Sequence, residues 1–178
     1  MYINKIYGLF GDAYKKHQFI KEIFPGTQKP RWQDCDSCVV AVSDEKPVVV
    51  LGSDFEIEDY GNVESYLDKY VGRPLPFSIR LNACKKHYRS RVSLCEDEIE
   101  KWVGKKLSNI GGEVSNINFK YEDKNISIRQ DKTNTHSSVF VVGTILVNNI
   151  DVFKKVLHDG IGHAKSYGFG LLNVFSLI

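Results

Sequence analysis

No run of apolar residues in this chain approaches the length needed to cross a bilayer. From Met1 to Gly11 the residues alternate polar and apolar, without the continuous apolar centre of a signal peptide. A cytoplasmic protein with no membrane partner is the expectation. The chain has four cysteines. Cys35-Asp36-Ser37-Cys38 has metal-ligand or redox spacing, yet Cys84 and Cys95 supply no second pair, so reduced thiols are the default and a zinc site the alternative. A dense Asp/Glu/His set of the kind that holds two metals is also missing, and Asp12, Asp34 and Asp36 have no specific spacing. No metal and no other cofactor is implied. The formal net charge is only +2.

What is present is uneven charge. Lys69, Arg73, Arg80, Lys85, Lys86, Arg89 and Arg91 follow one another with no acidic residue between Lys69 and Arg91. Solvated faces usually mix signs, so this stretch suits a polyanion. Acidic clusters at Asp54 to Asp59 and Glu96 to Glu100 balance it, the second opening a helix where carboxylates favour the dipole. With 178 residues and 42% apolar composition the chain can bury a sizeable core, as one domain or as two of about 80 to 90 residues.

Glycines crowd one segment, Gly160-Ile161-Gly162-His163-Ala164-Lys165-Ser166-Tyr167-Gly168-Phe169-Gly170. Such density exposes backbone N–H groups beside the charge of Lys165, which suits an anion such as a phosphodiester. A dinucleotide fingerprint requires a strand before the glycines and a helix after them. Here the order is reversed, with a helix predicted over Ile150 to His158 and a strand over Leu171 to Leu177.

The remaining periodicities predict a strand over Tyr2 to Leu9, a helix from Asp12 to Phe24 and a hairpin of Cys38 to Val42 with Pro47 to Leu51. A short helix at Val63 to Tyr70 and a strand at Phe77 to Cys84 complete a β-α-β-β-α-β order. A short strand at Arg89 to Leu94, a helix at Glu96 to Leu107 and strands at Val114 to Tyr121, Asn125 to Gln130 and Val139 to Val147 lead to the last helix and strand. The expected fold is therefore α+β, two tandem ferredoxin-like (RRM-like) domains at 1–85 and 86–178, with the glycine-rich loop before the last strand.

The glycine segment resembles the C-terminal signature of the CRISPR-associated precursor-RNA endonucleases, most closely their CasE subfamily. Two further matches support the resemblance: the start Met1-Tyr2-Ile3-Asn4-Lys5-Ile6 with Tyr14-Lys15-Lys16-His17-Gln18 and Phe24-Pro25, and Pro76-Phe77-Ser78-Ile79-Arg80-Leu81-Asn82-Ala83. It implies tandem ferredoxin-like domains with a catalytic histidine on the first helix. It also implies binding of a CRISPR repeat RNA hairpin, cleavage at its 3′ base, and retention of the processed guide RNA with other subunits of an RNA-guided surveillance complex. Between Lys86 and Arg91 this chain is shorter than the basic loops common in the family.

On a helical wheel, Tyr14, His17 and Lys21 stand at the border of the apolar face, and Tyr14 and His17 share a side. From composition alone, His17 could simply close the rim of a core; the resemblance makes it the catalytic residue, with Tyr14 beside it. Lys16 points into the apolar face. Candidate RNA contacts are Lys15, Lys16, Lys85, Lys86, Arg89, Arg91, Arg129, Lys132 and Lys165, with Gly160, Gly162, Gly168 and Gly170 forming a backbone cradle. His87 is a backup RNA contact, and His163 has no family role assigned to it. A non-catalytic RNA-binding or scaffolding subunit is the main alternative. An enzyme for a small phosphorylated ligand is the other.

Overall fold

The computed structural model describes residues 1–8, 11–27, 29–35, 37–48, 55–88, 90–129 and 132–174. Its first half is β1 (Tyr2–Tyr7), α1 (Ala13–Ile23), β2 (Arg31–Asp34), β3 (Cys38–Ser43) and β4 (Glu56–Asn62), with strands in the order β2-β3-β1-β4. A short helix α2 (Glu64–Leu67) and one 3-10 turn lead to β5 (Pro74–Asn82), the hairpin of β6 (Cys84–His87) and β7 (Ser90–Ser93), and α3 (Glu96–Leu107). Then come β8 (Gly112–Arg129), β9 (Lys132–Val147), α4 (Ile150–Asp159) and β10 (Leu172–Asn173), and the second sheet runs β10-β5-β9-β8. Every strand pairing among the described residues is antiparallel. The order β5-α3-β8-β9-α4-β10 with outer strands flanking β5 and β9 is a ferredoxin-like unit, and the first half has the same strand order.

Sheet membership corrects the expected halves. The strand expected to close the first domain before residue 85 is β5, which pairs with β9 and β10 in the second sheet. The place beside β1 is taken by β4, inside the acidic cluster. Its sequence EIEDYGN conceals a strand because most positions face solvent, and Ile57 opposite Ile6 is the cross-strand apolar pair. The first hairpin also differs. β3 pairs with β2 and β1, while Pro47 and Val48 are outside any strand and residues 49–51 lie outside the described residues. The three strands expected between 114 and 147 are two long ones, β8 and β9.

Alternation along β1 divides its side chains between two cores. Ile3, with Val40 and Val42 across from it on β3, joins Phe77, Ile79, Leu81, Val139, Val141, Phe153 and Leu157 of the second half in one continuous cluster. Ile6 faces the other way, with Val39, Ala41, Trp32 and the α1 residues Ile20 and Ile23. Phe169, from the glycine-rich loop of the second half, is fully buried in this α1 core. The loop itself is held by Ile161 N–H to the Gly170 carbonyl and Gly170 N–H to the Arg80 carbonyl, both 2.7 Å.

A cationic cleft beside the first helix

Asp12 caps α1, its carboxylate accepting from the Lys15 N–H at 3.0 Å, and this sets which residues face inward. Ala13, Ile20 and Ile23 are buried, Tyr14 and Lys15 are exposed, and His17 lies half-buried at the border. His17 opens onto a cleft of about 360 Å³ whose lining also includes Lys21, Lys29, Arg31, Lys165 and Ser166. Among the described residues no carboxylate belongs to that lining. Burial, with the nearby Lys21 ammonium, holds the His17 imidazole below the ordinary histidine value. Its Nδ1 is buried with no hydrogen-bond partner among the described residues. A neutral imidazole with an accepting nitrogen is the form suited to taking a proton near neutrality.

The opposite wall is built on the end of α4. Lys165 Nζ donates to the carbonyls of Asp159 at 2.5 Å and Gly160 at 3.0 Å, and Arg31 Nε donates to the same Asp159 carbonyl at 2.9 Å. Cations there meet the negative end of the helix dipole. Burial and the Arg31 guanidinium hold the Lys165 ammonium below the usual lysine value. The 3-10 turn Lys165–Tyr167 lies against α1 and β2, so the glycine-rich loop forms part of the cleft. Gly168, at φ +81°, sits where a Cβ would meet the Trp32 ring at 2.6 Å, whereas a Cβ on Gly162 would meet nothing within 4 Å.

The other expected site residues are dispersed. Tyr14, 37% exposed, is outside the cleft lining. Lys16 does not point into the apolar face unsatisfied: its ammonium pairs with Asp34 of β2 at 2.6 Å. Lys85 is ion-paired with Glu98 of α3, and Lys86 is exposed on the same hairpin. Arg91 is on β7, and Arg129 and Lys132 face each other in register beside the tip of the β8–β9 hairpin. Arg89 lies outside the described residues. Within the acid-free stretch, Arg80 lies over the Phe140 ring at 5.1 Å and donates to the Ser138 hydroxyl at 3.1 Å. Lys21, Lys29 and Arg31 are cleft residues that the sequence does not mark for binding. Glu22 and Asp34 lie close to them along the chain, so there is no local charge run to point to them.

Cys38 is half-buried, and burial pushes its thiol up. Among the described residues no three His, Cys, Asp or Glu side chains are grouped to hold a metal. No helix among them is long and apolar enough to cross a membrane.

Fold and cleft together define a tandem ferredoxin-like protein in which a histidine and basic side chains meet where the halves join. A family model described as "CRISPR associated protein" matches residues 5–175, and the chain belongs to that family. It is similar to the crystal structure of the CRISPR-associated protein Cas6e from Escherichia coli K-12, with 25% identity, a TM-score of 0.71, and coverage of 97% of this chain and 98% of that one. A structure of the CRISPR endoribonuclease Cse3 bound to a 19-nucleotide RNA matches with a TM-score of 0.79 and 17% identity over 97% of this chain and 99% of that one. A chain of a CRISPR RNA-guided surveillance complex matches with a TM-score of 0.67 and 17% identity over 97% and 98%. No curated protein is matched by sequence similarity.

Proposed function

We propose that this chain is a metal-independent endoribonuclease that cleaves CRISPR repeat hairpins in precursor RNA and retains the product for an RNA-guided complex. The observation that carries the reading is His17, half-buried and held below the ordinary histidine value, at the edge of a cleft whose other charged groups among the described residues are all cationic. RNA contains its own nucleophile. His17 takes the proton of the ribose 2′-hydroxyl, the 2′-oxygen attacks the adjacent phosphorus, and the bond from phosphorus to the 5′-oxygen breaks. The leaving 5′-oxygen takes a proton from water, giving a 2′,3′-cyclic phosphate and a 5′-hydroxyl, and His17 returns its proton to solvent.

Lys29, Arg31 and Lys165 bear on the phosphoryl oxygens as charge develops there. Tyr14, one turn before His17 on the exposed side of α1 and outside the cleft lining, is the residue assigned to orient the ribose. Lys15, Lys16, Lys85, Lys86, Arg89, Arg91, Arg129 and Lys132 serve the stem phosphates. The family membership, the RNA-bound structure and the surveillance-complex chain support this substrate class and these partners.

The test is single-turnover cleavage of the cognate repeat RNA by H17A at saturating protein, with and without excess EDTA. We expect a loss of roughly 10²-fold or more in rate with little change in affinity, and wild-type cleavage that survives chelation. Full-rate cleavage by H17A would remove His17 from catalysis. Binding without cleavage by the wild-type chain would favour a scaffolding subunit.

A further inference from the structure

The β6–β7 hairpin stands apart from both sheets as a two-stranded ribbon, with its base fixed to α3 through Lys85 and Glu98. His87 pairs with Ser90, which places Tyr88 first after β6 in a tight turn. Two-residue hairpin loops adopt turns with a left-handed backbone at the first central position, which is why Asn-Gly and similar pairs dominate there. Tyr88 occupies that position at φ +49°. A bulky aromatic residue is disfavoured in this region by its own side chain.

The strain gains nothing for the core. Tyr88 is 85% exposed, with the His87 ring edge-on at 4.7 Å. Lys85, ion-paired with Glu98, and the exposed Lys86 precede it on the same strand, and Arg91 is the register partner of Lys86. An exposed ring held in an unfavourable turn among cations has the composition of a nucleic-acid stacking platform: cations draw in the backbone, and the ring face receives a base. Bases within an A-form stem are hidden, so the base available to such a ring is an unpaired one.

We propose that Tyr88 stacks on an unpaired nucleotide of the bound RNA and so acts as a specificity element outside the His17 cleft. The inference rests on the RNA-hairpin reading above. The test uses synthetic RNA of the cognate repeat with 2-aminopurine placed in turn in the apical loop, the 5′ flank and the 3′ flank, titrated with wild-type protein, Y88F and Y88N. Wild type and Y88F should quench the probe at one unpaired position. Y88N should abolish that quenching and weaken binding about five- to 150-fold, the range of a single base–aromatic stack.

Asparagine tolerates positive φ, so the thermal transition of Y88N should be no lower than that of wild type. Tight wild-type binding with equal affinity for Y88N, or with no quenched position, would overturn the stacking contact and leave the ribonuclease reading standing. Failure of the wild-type chain to bind any of these RNAs would overturn both. Wild-type affinity in Y88N together with loss of assembly into the surveillance complex would reassign the tip to a protein partner.

Discussion

His158 of α4 reaches Asp44, beyond the end of β3, with Nε2 2.6 Å from the carboxylate, while its Nδ1 lies 2.9 Å from Asp159 on its own helix. The imidazole thereby joins the two halves. Its hydrogen bonds to Asp159 and Asp44 hold it above the ordinary histidine value. The other charged groups nearby are the cations Arg31, Lys155 and Lys165.

A raised folded-state value means that the contribution of His158 is fully present below the unfolded value and lost as pH rises through the folded one. H158Q should therefore be less stable than wild type at about pH 5.5, by up to about 1 kcal/mol for a half-exposed pair, and indistinguishable from it near pH 9. Denaturant titrations at both pH values measure the difference. His17 and His136 are both held down by burial and contribute with the opposite sign, but they are common to both proteins and cancel. A deficit that persists at high pH would remove the charge from the explanation.

For catalysis the relevant direction is that of His17. Because the single-turnover rate at subsaturating protein reports the free protein, its acid limb should have its midpoint below the ordinary histidine value of about 6.5. K21Q removes one of the two causes of the depression and should move that limb upward in pH. An unmoved limb would mean that another group sets the profile.

Arg31 and Lys165 share the Asp159 carbonyl, and so they should not act independently. K165A and R31A are each expected to lower stability by about 1 kcal/mol through the weakened cap on α4. Because the two cations repel each other and either alone still caps the carbonyl, the double variant should lose more than the sum, with a coupling of about 0.5 kcal/mol or more. A double-mutant cycle in urea reads this directly, and strict additivity would show that the two donors do not cooperate.

Phosphate binding in the cleft carries its own signature. Replacing Lys21 or Lys29 by alanine should weaken repeat-RNA binding and flatten its dependence on salt by about 0.7 to 0.9 in log–log slope for each phosphate no longer neutralised. Filter binding at several salt concentrations measures it. An unchanged slope would place the RNA backbone elsewhere.

Within the glycine-rich loop the positions should differ. G168A drives a methyl group against Trp32 at a positive φ and is expected to destabilise by about 2 kcal/mol or more. G162A has open space and meets only the backbone penalty, about 1 kcal/mol. Thermal unfolding of the two variants distinguishes them, and equal losses would contradict the packing described.

The elements legible in the sequence are those with a clean period or a strong cap. Asp12 marks the start of α1, the apolar spacing of Ile99, Val103 and Leu107 marks α3, and the reversed order around the glycines separates this loop from a nucleotide fingerprint. β4 is not legible, since its charges belong to a sheet edge and alternation there is nearly absent. Missing it displaces β5 into the wrong half. The helix-border position of His17 follows from its spacing alone, but its surroundings do not. Lys21, Lys29, Arg31 and Lys165 converge from separate segments, and only tertiary packing brings them to one cleft.

Phe169 belongs by chain position to the second half and by burial to the first. One half expressed alone would lack either the plug or the socket, and the wall carrying Lys165 would have nothing to set it opposite His17. The halves should accordingly unfold in a single transition and complement each other poorly as separate polypeptides. The cleft therefore exists only while the loop is seated in the first half.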